Sequence, residues 1–208
     1  MFGGNFQTWK LHSVQDYFMF FAYILAGVLV FWLIAKHMNK QRNHEKAVEK
    51  VSARLKKICG KPGEVLKNAT LNLPEGKMTF DAVLMDKRGV YLVRTYGWGI
   101  KIYGTPDGAM WRREDAKRKE EFENPLLELK KGAEEITKVM EENGVQNLKV
   151  MPMVVFADNF QTPELYLGYG SFSTTYQELK NWDKKQSGEK EAQYDYDKVS
   201  SIIKGLAK

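Results

Sequence analysis

The chain has one cysteine, Cys59, and three histidines, His12, His37 and His44, so no histidine follows residue 44. A lone cysteine excludes an intramolecular disulfide, which agrees with a reducing compartment. Without a histidine in the C-terminal part to activate it, Cys59 is a poor candidate for a thiol nucleophile. His37 and His44 are seven residues apart, roughly on one helix face, but two imidazoles without a cysteine or carboxylate partner make a poor zinc site. The N-terminal end is short of charge. Before residue 17 the only basic residues are Lys10 and His12, and no A-x-A pattern follows Phe31-Trp32-Leu33. A cleaved signal peptide needs both a basic start and a small-residue cleavage site, so neither requirement is met. There is no internal repeat.

What the chain does have is one long apolar run. Residues 17–35, YFMFFAYILAGVLVFWLIA, are nineteen positions without a charge. At ~1.5 Å per residue this is roughly 28 Å of helix, the thickness of a bilayer's hydrocarbon core. Trp9, Tyr17 and Trp32 stand near its ends, where amphipathic rings favour the interface. A single membrane span is expected here, with residues 1–16 as a short extracytoplasmic N-terminus.

Charge sets the expected orientation. Residues 1–35 carry Lys10 and Asp16, net zero, whereas residues 36–61 carry nine basic residues against Glu45 and Glu49, net +7. The positive-inside rule places the long C-terminal part in the cytoplasm, at the cell membrane. The whole chain is +6, so residues 62–208 sum to −1. The basic pI therefore belongs to the segment beside the membrane and not to the soluble domain. It reads as attraction to anionic lipid headgroups through Lys46, Lys50, Arg54 and Lys57, or as plain positive-inside topology.

Residues 36–61 are expected to form a basic amphipathic helix. Val48, Val51, Leu55 and Ile58 recur at helical spacing, and Gly60 and Pro62 stop the pattern. Strands follow at Val65–Leu73, Met78–Met85 and Val90–Val93, separated by the turn sequences Pro74-Glu75-Gly76-Lys77 and Asp86-Lys87-Arg88-Gly89. Ile100–Tyr103 and Ala109–Arg113 form a hairpin around Thr105-Pro106-Asp107-Gly108, and residues 114–123 read as a polar loop. Asn124-Pro125 opens a helix with its apolar stripe on Leu126, Leu129, Ala133, Ile136 and Met140. Val150–Phe156 is a buried-type strand whose Pro152 points to an edge or bulge. Thr174–Trp182 reads as a short helix, 184–192 as a polar stretch and Asp197–Leu206 as a last amphipathic helix. The expected class is α+β, with the order helix, three strands, helix, strand. A domain over 62–160 is followed by a C-terminal extension over 161–208.

Gly63-Glu64, Asp81-Ala82-Val83-Leu84 and Gly89-Val90-Tyr91-Leu92-Val93 fall before or on the first three strands. Together with Gly104, Trp111 and Asn124-Pro125-Leu126 this series resembles the nuclease-related domain (NERD) family over roughly residues 60–160. The resemblance implies a restriction-endonuclease-like αβββαβ core, often coupled to a transmembrane segment. It also implies a metal-dependent nuclease site: an aspartate on one strand, then Glu-x-Lys on the next. Alternation puts that glutamate and lysine on one face, and the metal polarises the scissile phosphate.

Asp81 fits the first position. Where Glu-x-Lys is implied, the chain reads Arg94-Thr95-Tyr96. A guanidinium is cationic and has no acceptor, so Arg94 repels a divalent ion. Tyr96 lacks the fixed positive charge of lysine. Arg94 then either pairs with Asp81 across adjacent strands or binds an anionic ligand, unless the register is misread. The resemblance matches Glu64 to a family glutamate that approaches the same site, whereas the residue by itself reads as a solvated one near a helix end. Asp86 and Asp107 are poor substitutes, the first because an odd spacing from Asp81 turns it to the other face of a regular strand. Tyr96, Trp98, Tyr103 and Trp111 interleave with Arg94, Lys101, Arg112 and Arg113, either as a stacking surface for single strands or as core aromatics.

The expected function is a single-pass membrane protein whose cytoplasmic NERD-like domain binds or scaffolds without catalysis. The positions Glu64, Asp81, Arg94 and Tyr96 are vestigial in this reading, and no cofactor is expected. The alternatives are a metal-dependent nuclease with an unconventional site, its metal on Asp81, and a nucleic-acid or nucleotide binder that does not cleave. Expected partners are the membrane and its anionic headgroups, with a protein partner open and nucleic acid not favoured.

Overall fold

The fold is seen in a computed structural model that describes residues 14–41, 44–59, 61–97, 99–115, 118–158, 162–186 and 194–207. The chain forms two units, residues 1–40 and 41–208. The first holds all but the last residue of helix α1, Val14–Gln41. Its stretch Val14–Lys36 is long and apolar enough to cross a membrane. Phe18, Phe21, Leu25, Val28 and Phe31 are all exposed, so apolar side chains point outward over successive turns. A helix apolar all round needs a surrounding apolar medium. Trp9, Lys10 and His12 lie outside the described residues.

The second unit is α+β. Helix α2 spans His44–Ile58, and strands β1 (Glu64–Leu73), β2 (Gly76–Asp86) and β3 (Gly89–Tyr96) follow as antiparallel neighbours. After β4 (Lys101–Gly104), β5 (Met110–Glu114) and β6 (Lys119–Glu123) comes α3, Pro125–Glu142. Strands β7 (Val150–Phe156), β8 (Glu164–Leu167) and β9 (Ser173–Thr175) precede α4 (Leu179–Gln186) and α5 (Tyr196–Leu206). The main sheet has the order β1-β2-β3-β7-β9, and a smaller sheet the order β6-β5-β4-β8. The αβββαβ order expected from the resemblance is α2, β1–β3, α3, β7, with the smaller sheet built largely from the segment between β3 and α3.

The two faces of the main sheet are covered separately. On β3, Val90 and Leu92 join Leu126, Leu129 and Ile136 of α3 and Val199 and Ile203 of α5. Tyr91 and Val93 join Ala47, Val51 and Leu55 of α2 and Leu179 of α4. This is the period-two alternation of a strand buried on both sides. The apolar stripe of α2 thus belongs to the domain core, and its basic residues face outward. Gly132 lets α3 approach the sheet closely, since a Cβ there would lie 2.8 Å from the Phe80 ring.

Two expectations are corrected. Residues 119–123 are not loop but strand β6, an edge strand paired with β5 through opposite charges. Arg113 bonds Glu120, and Lys119 lies 3.1 Å from Glu114. Polarity there marks an exposed edge, which charge protects from further pairing. The short helix expected from Thr174 begins only at Leu179, because Thr174 and Thr175 extend the main sheet beside β7. The polar stretch expected over 184–192 is helical up to Gln186, and residues 187–193 lie outside the described residues. Pro152, in contrast, sits as expected: β9 pairs only with Val154–Phe156, so no ladder bond is required on that side of Pro152.

Candidate functional site

Asp81 stands where strand β2 changes phase. Phe80, Val83 and Met85 face the α3 side, whereas Ala82 and Leu84 face the α2 side. The alternation therefore slips between Phe80 and Ala82. Asn68 sits opposite on β1, between the pairs Lys67↔Ala82 and Ala69↔Phe80, with φ 49°. Asparagine tolerates that left-handed conformation better than most residues. The slip leaves Asp81 at the end of the β2–β3 ladder, one step beyond Ala82↔Val93 and so opposite Arg94.

Asp81 is 5% exposed, and its carboxylate substitutes for the missing ladder partner. Its Oδ2 accepts the backbone N–H of Thr95 at 2.6 Å. Its Oδ1 lies 3.7 Å from Nη1 of Arg94 and 3.4 Å from Nε2 of His44. Arg94 is half-buried and donates from Nη2 to Oε2 of Glu128 at 2.7 Å. Glu128 lies in the first turn of α3, where a negative charge is favoured by the helix dipole. Asn124 caps that helix, accepting from the Leu126 N–H at 2.9 Å. One guanidinium therefore bridges two carboxylates supplied by β2 and α3.

Glu64, Asp86 and Asp107 do not converge on Asp81, whereas Tyr96 lies close enough to Arg94, Asp81 and Glu128 for their charges to act on its phenol. Tyr96 faces the aromatic cluster, its ring centroid 5.6 Å from Phe156 and 5.3 Å from Phe122. Burial pushes its phenol up to about 12, so it is neutral at physiological pH. Glu64 is paired with Met85, four residues down β2 from Asp81, or ~13 Å at the strand rise. It instead binds Lys204 of α5 at 2.6 Å, which corrects both the expectation that it approaches Asp81 and the alternative of a purely solvated residue. Asp86 is excluded by distance and not by its expected facing, since the strand is not regular. It is held by Arg88, and its backbone carbonyl accepts the Tyr194 hydroxyl. Asp107 binds Lys130 at 2.9 Å.

Two residues of the site were not among the sequence candidates. His44 precedes the strands in the basic segment 36–61, yet it opens α2 against Asp81. Its position four before Val48 continues the stripe of Val48, Val51 and Leu55, and that spacing was the available signal. Glu128 sits beside the buried Leu129, and only the β3–α3 packing brings it to Arg94.

The family model for the nuclease-related domain matches residues 40–157. The chain belongs to the nuclease-related domain family. An uncharacterized protein of Bacillus anthracis is 32% identical over 112 residues, covering 52% of this chain and 52% of that protein. The chain thus spans about half the length of this relative. No solved structure matches.

In this nuclease-related domain the residues around Asp81 do not fit a divalent ion. A metal site requires several anionic or neutral donors facing one point, but Arg94 directs two nitrogens at the carboxylates that would supply them. Among the described residues, no three of His, Cys, Asp or Glu are grouped so as to hold a metal ion. The aromatic–basic series divides. Trp111 is buried and donates from Nε1 to the Thr105 carbonyl at 2.9 Å, as a core aromatic does. Tyr103 stacks on Tyr166 at 4.8 Å with Arg112 above it, and Trp98 lies outside the described residues. On α2, Lys46 and Lys57 are exposed, whereas Lys50 and Arg54 pack over the Tyr176 ring.

Proposed function

We propose that the chain is a single-pass membrane protein whose cytoplasmic nuclease-related domain binds or scaffolds at the membrane without cutting nucleic acid. One observation carries the loss of cleavage: the Arg94 guanidinium lies between Asp81 and Glu128. It pairs with both carboxylates and puts a fixed positive charge where this chemistry needs a metal cation with open positions. Tyr96, held neutral by burial, supplies no substitute for the lysine of the family pattern. The membrane part of the reading is supported by α1 and by the +7 charge of residues 36–61. The outward basic residues of α2 suit an anionic surface.

The test is a cleavage assay on the full chain in neutral detergent, with single- and double-stranded DNA and RNA and with Mg²⁺ or Mn²⁺. The expected result is no metal-stimulated cleavage. Cleavage by the wild type that disappears in Asp81→Ala would establish an unconventional metal site and overturn the reading.

A further inference from the structure

Helix α2 and the segment after β9 enclose a cleft of about 460 Å³. Four cations line it, Lys50, Arg54 and Lys57 from α2 and Lys180 from α4, and no carboxylate does. The three α2 residues follow at spacings of four and three, which places them on one helix face. Tyr176 forms the opposite wall. Lys50 Nζ lies 4.4 Å and the Arg54 guanidinium carbon 4.6 Å from the centre of its ring. Arg54 Nε also reaches the Tyr176 hydroxyl at 3.4 Å.

The cleft is built on fixed elements. Val51 and Leu55 anchor α2 in the core, and Leu179 anchors the start of α4 beside Lys180; all three are fully buried. Tyr176 is tied to the main sheet by its N–H, which bonds the Phe156 carbonyl at 2.8 Å. Among the described residues, Arg54, Lys57 and Lys180 have no carboxylate within ion-pairing distance. With Nε turned to Tyr176, the remaining guanidinium donors of Arg54 are available for a forked contact with an oxyanion. The volume suits a small polar group.

We propose that this cleft is a binding site for a phosphate-bearing anion, either a phospholipid headgroup or a free phosphate. It builds on the membrane reading by naming a discrete site, and it is independent of whether the domain cleaves. A nucleic-acid strand needs a basic track that follows its backbone over several phosphates, whereas these four cations line a single cleft.

The test uses the full chain in maltoside micelles. Inorganic phosphate is titrated in one arm, and phosphatidic acid against phosphatidylcholine in mixed micelles in the other. Saturable binding in the first arm assigns a free phosphate, and saturable binding confined to the second assigns a headgroup. In either case Arg54→Gln with Lys57→Gln should weaken binding tenfold or more. Lys180→Gln, on the other wall and distant in sequence, should also weaken it several-fold. Lys46→Gln removes the same charge from α2 outside the cleft and should change binding less than twofold, as expected of a screened charge. Unchanged thermal unfolding marks the variants as folded, and Arg54→Lys serves where Arg54→Gln does not fold, with a several-fold loss expected from the missing forked contact. Equal losses from Lys46→Gln and Lys180→Gln would overturn the site, leaving diffuse surface attraction and the membrane reading intact. No saturable binding in either arm, or tighter binding of an oligothymidylate through the same residues, would also overturn it.

Discussion

The contact between Asp81 and Arg94 can be measured as a coupling energy. The perturbations are Asp81→Asn, which keeps an oxygen for the Thr95 N–H, and Arg94→Met, which keeps most of the apolar stem. Two unit charges 3.7 Å apart attract by ~4–5 kcal/mol at an effective dielectric of about 20. Much of that is offset. Arg94 retains Glu128 at 2.7 Å after Asp81 is neutralised, and its side chain is still 20% exposed to water. Both groups also lose hydration on folding. A coupling of about 1–2 kcal/mol remains. Arg94→Met alone should cost more than Asp81→Asn alone, about 2–4 kcal/mol, because it leaves a buried carboxylate without its nearest permanent cation. The double variant should then be more stable than the two single losses predict. For a domain of this size, 1 kcal/mol moves Tm by about 2–4 °C, so the non-additivity should be roughly 2–8 °C in thermal unfolding of the full chain in neutral detergent. Losses that add to within about 0.3–0.5 kcal/mol would refute the argument. Arg94 would then not be what makes the buried charge tolerable.

Three further outcomes follow from other parts of the molecule. The Thr95 hydroxyl is buried without a hydrogen-bond partner among the described residues, so Thr95→Val should raise stability by about 1 kcal/mol in urea unfolding, and a loss would reveal an internal water or ligand on that oxygen. The Tyr96 phenol is raised to about 12 chiefly by burial; since the protonated form is favoured in the fold, its contribution is complete below the unfolded value of about 10 and is lost as pH climbs through 12. Tyr96→Phe should therefore flatten the alkaline fall in stability between those limits, and an unchanged profile would contradict the assignment. A reporter fused after Lys208 should be shielded from external protease in intact cells and one before Met1 exposed; the reverse would overturn the orientation inferred from charge.

The sequence disclosed elements whose burial is one-sided or complete. The stripe of α3 and its Asn124 cap were legible because spacing and capping chemistry are local. Strand β3 was legible because apolar β-branched and aromatic residues run without interruption. Strand β6 was not, since Lys119–Glu123 is stabilised by charges on β5 and carries no apolar alternation of its own. At the site, Asp81 and Arg94 were readable as cross-strand neighbours. His44 and Glu128 were not, because they arrive from helices on opposite faces of the sheet. The phase slip at Asp81 was hidden for a similar reason. It depends on Asn68 adopting φ 49° on the neighbouring strand, which β2 alone does not encode.

That geometry separates two roles that an aspartate at this position can have. A buried carboxylate must be neutralised by some partner, and a metal ion, a proton or a guanidinium will each serve. Here the neutralising partner is Arg94, which also takes up Glu128. Asp81 meanwhile holds the Thr95 N–H at the end of the β2–β3 ladder, a task that needs its oxygen and not a metal. Its presence therefore says little about catalysis in this chain. The residue that carries the functional information is Arg94, because a guanidinium satisfies the electrostatics of the fold while offering no open coordination position and no nucleophile. On the proposed reading, such a domain keeps the nuclease-related fold with a guanidinium in the place where a divalent ion would support cleavage.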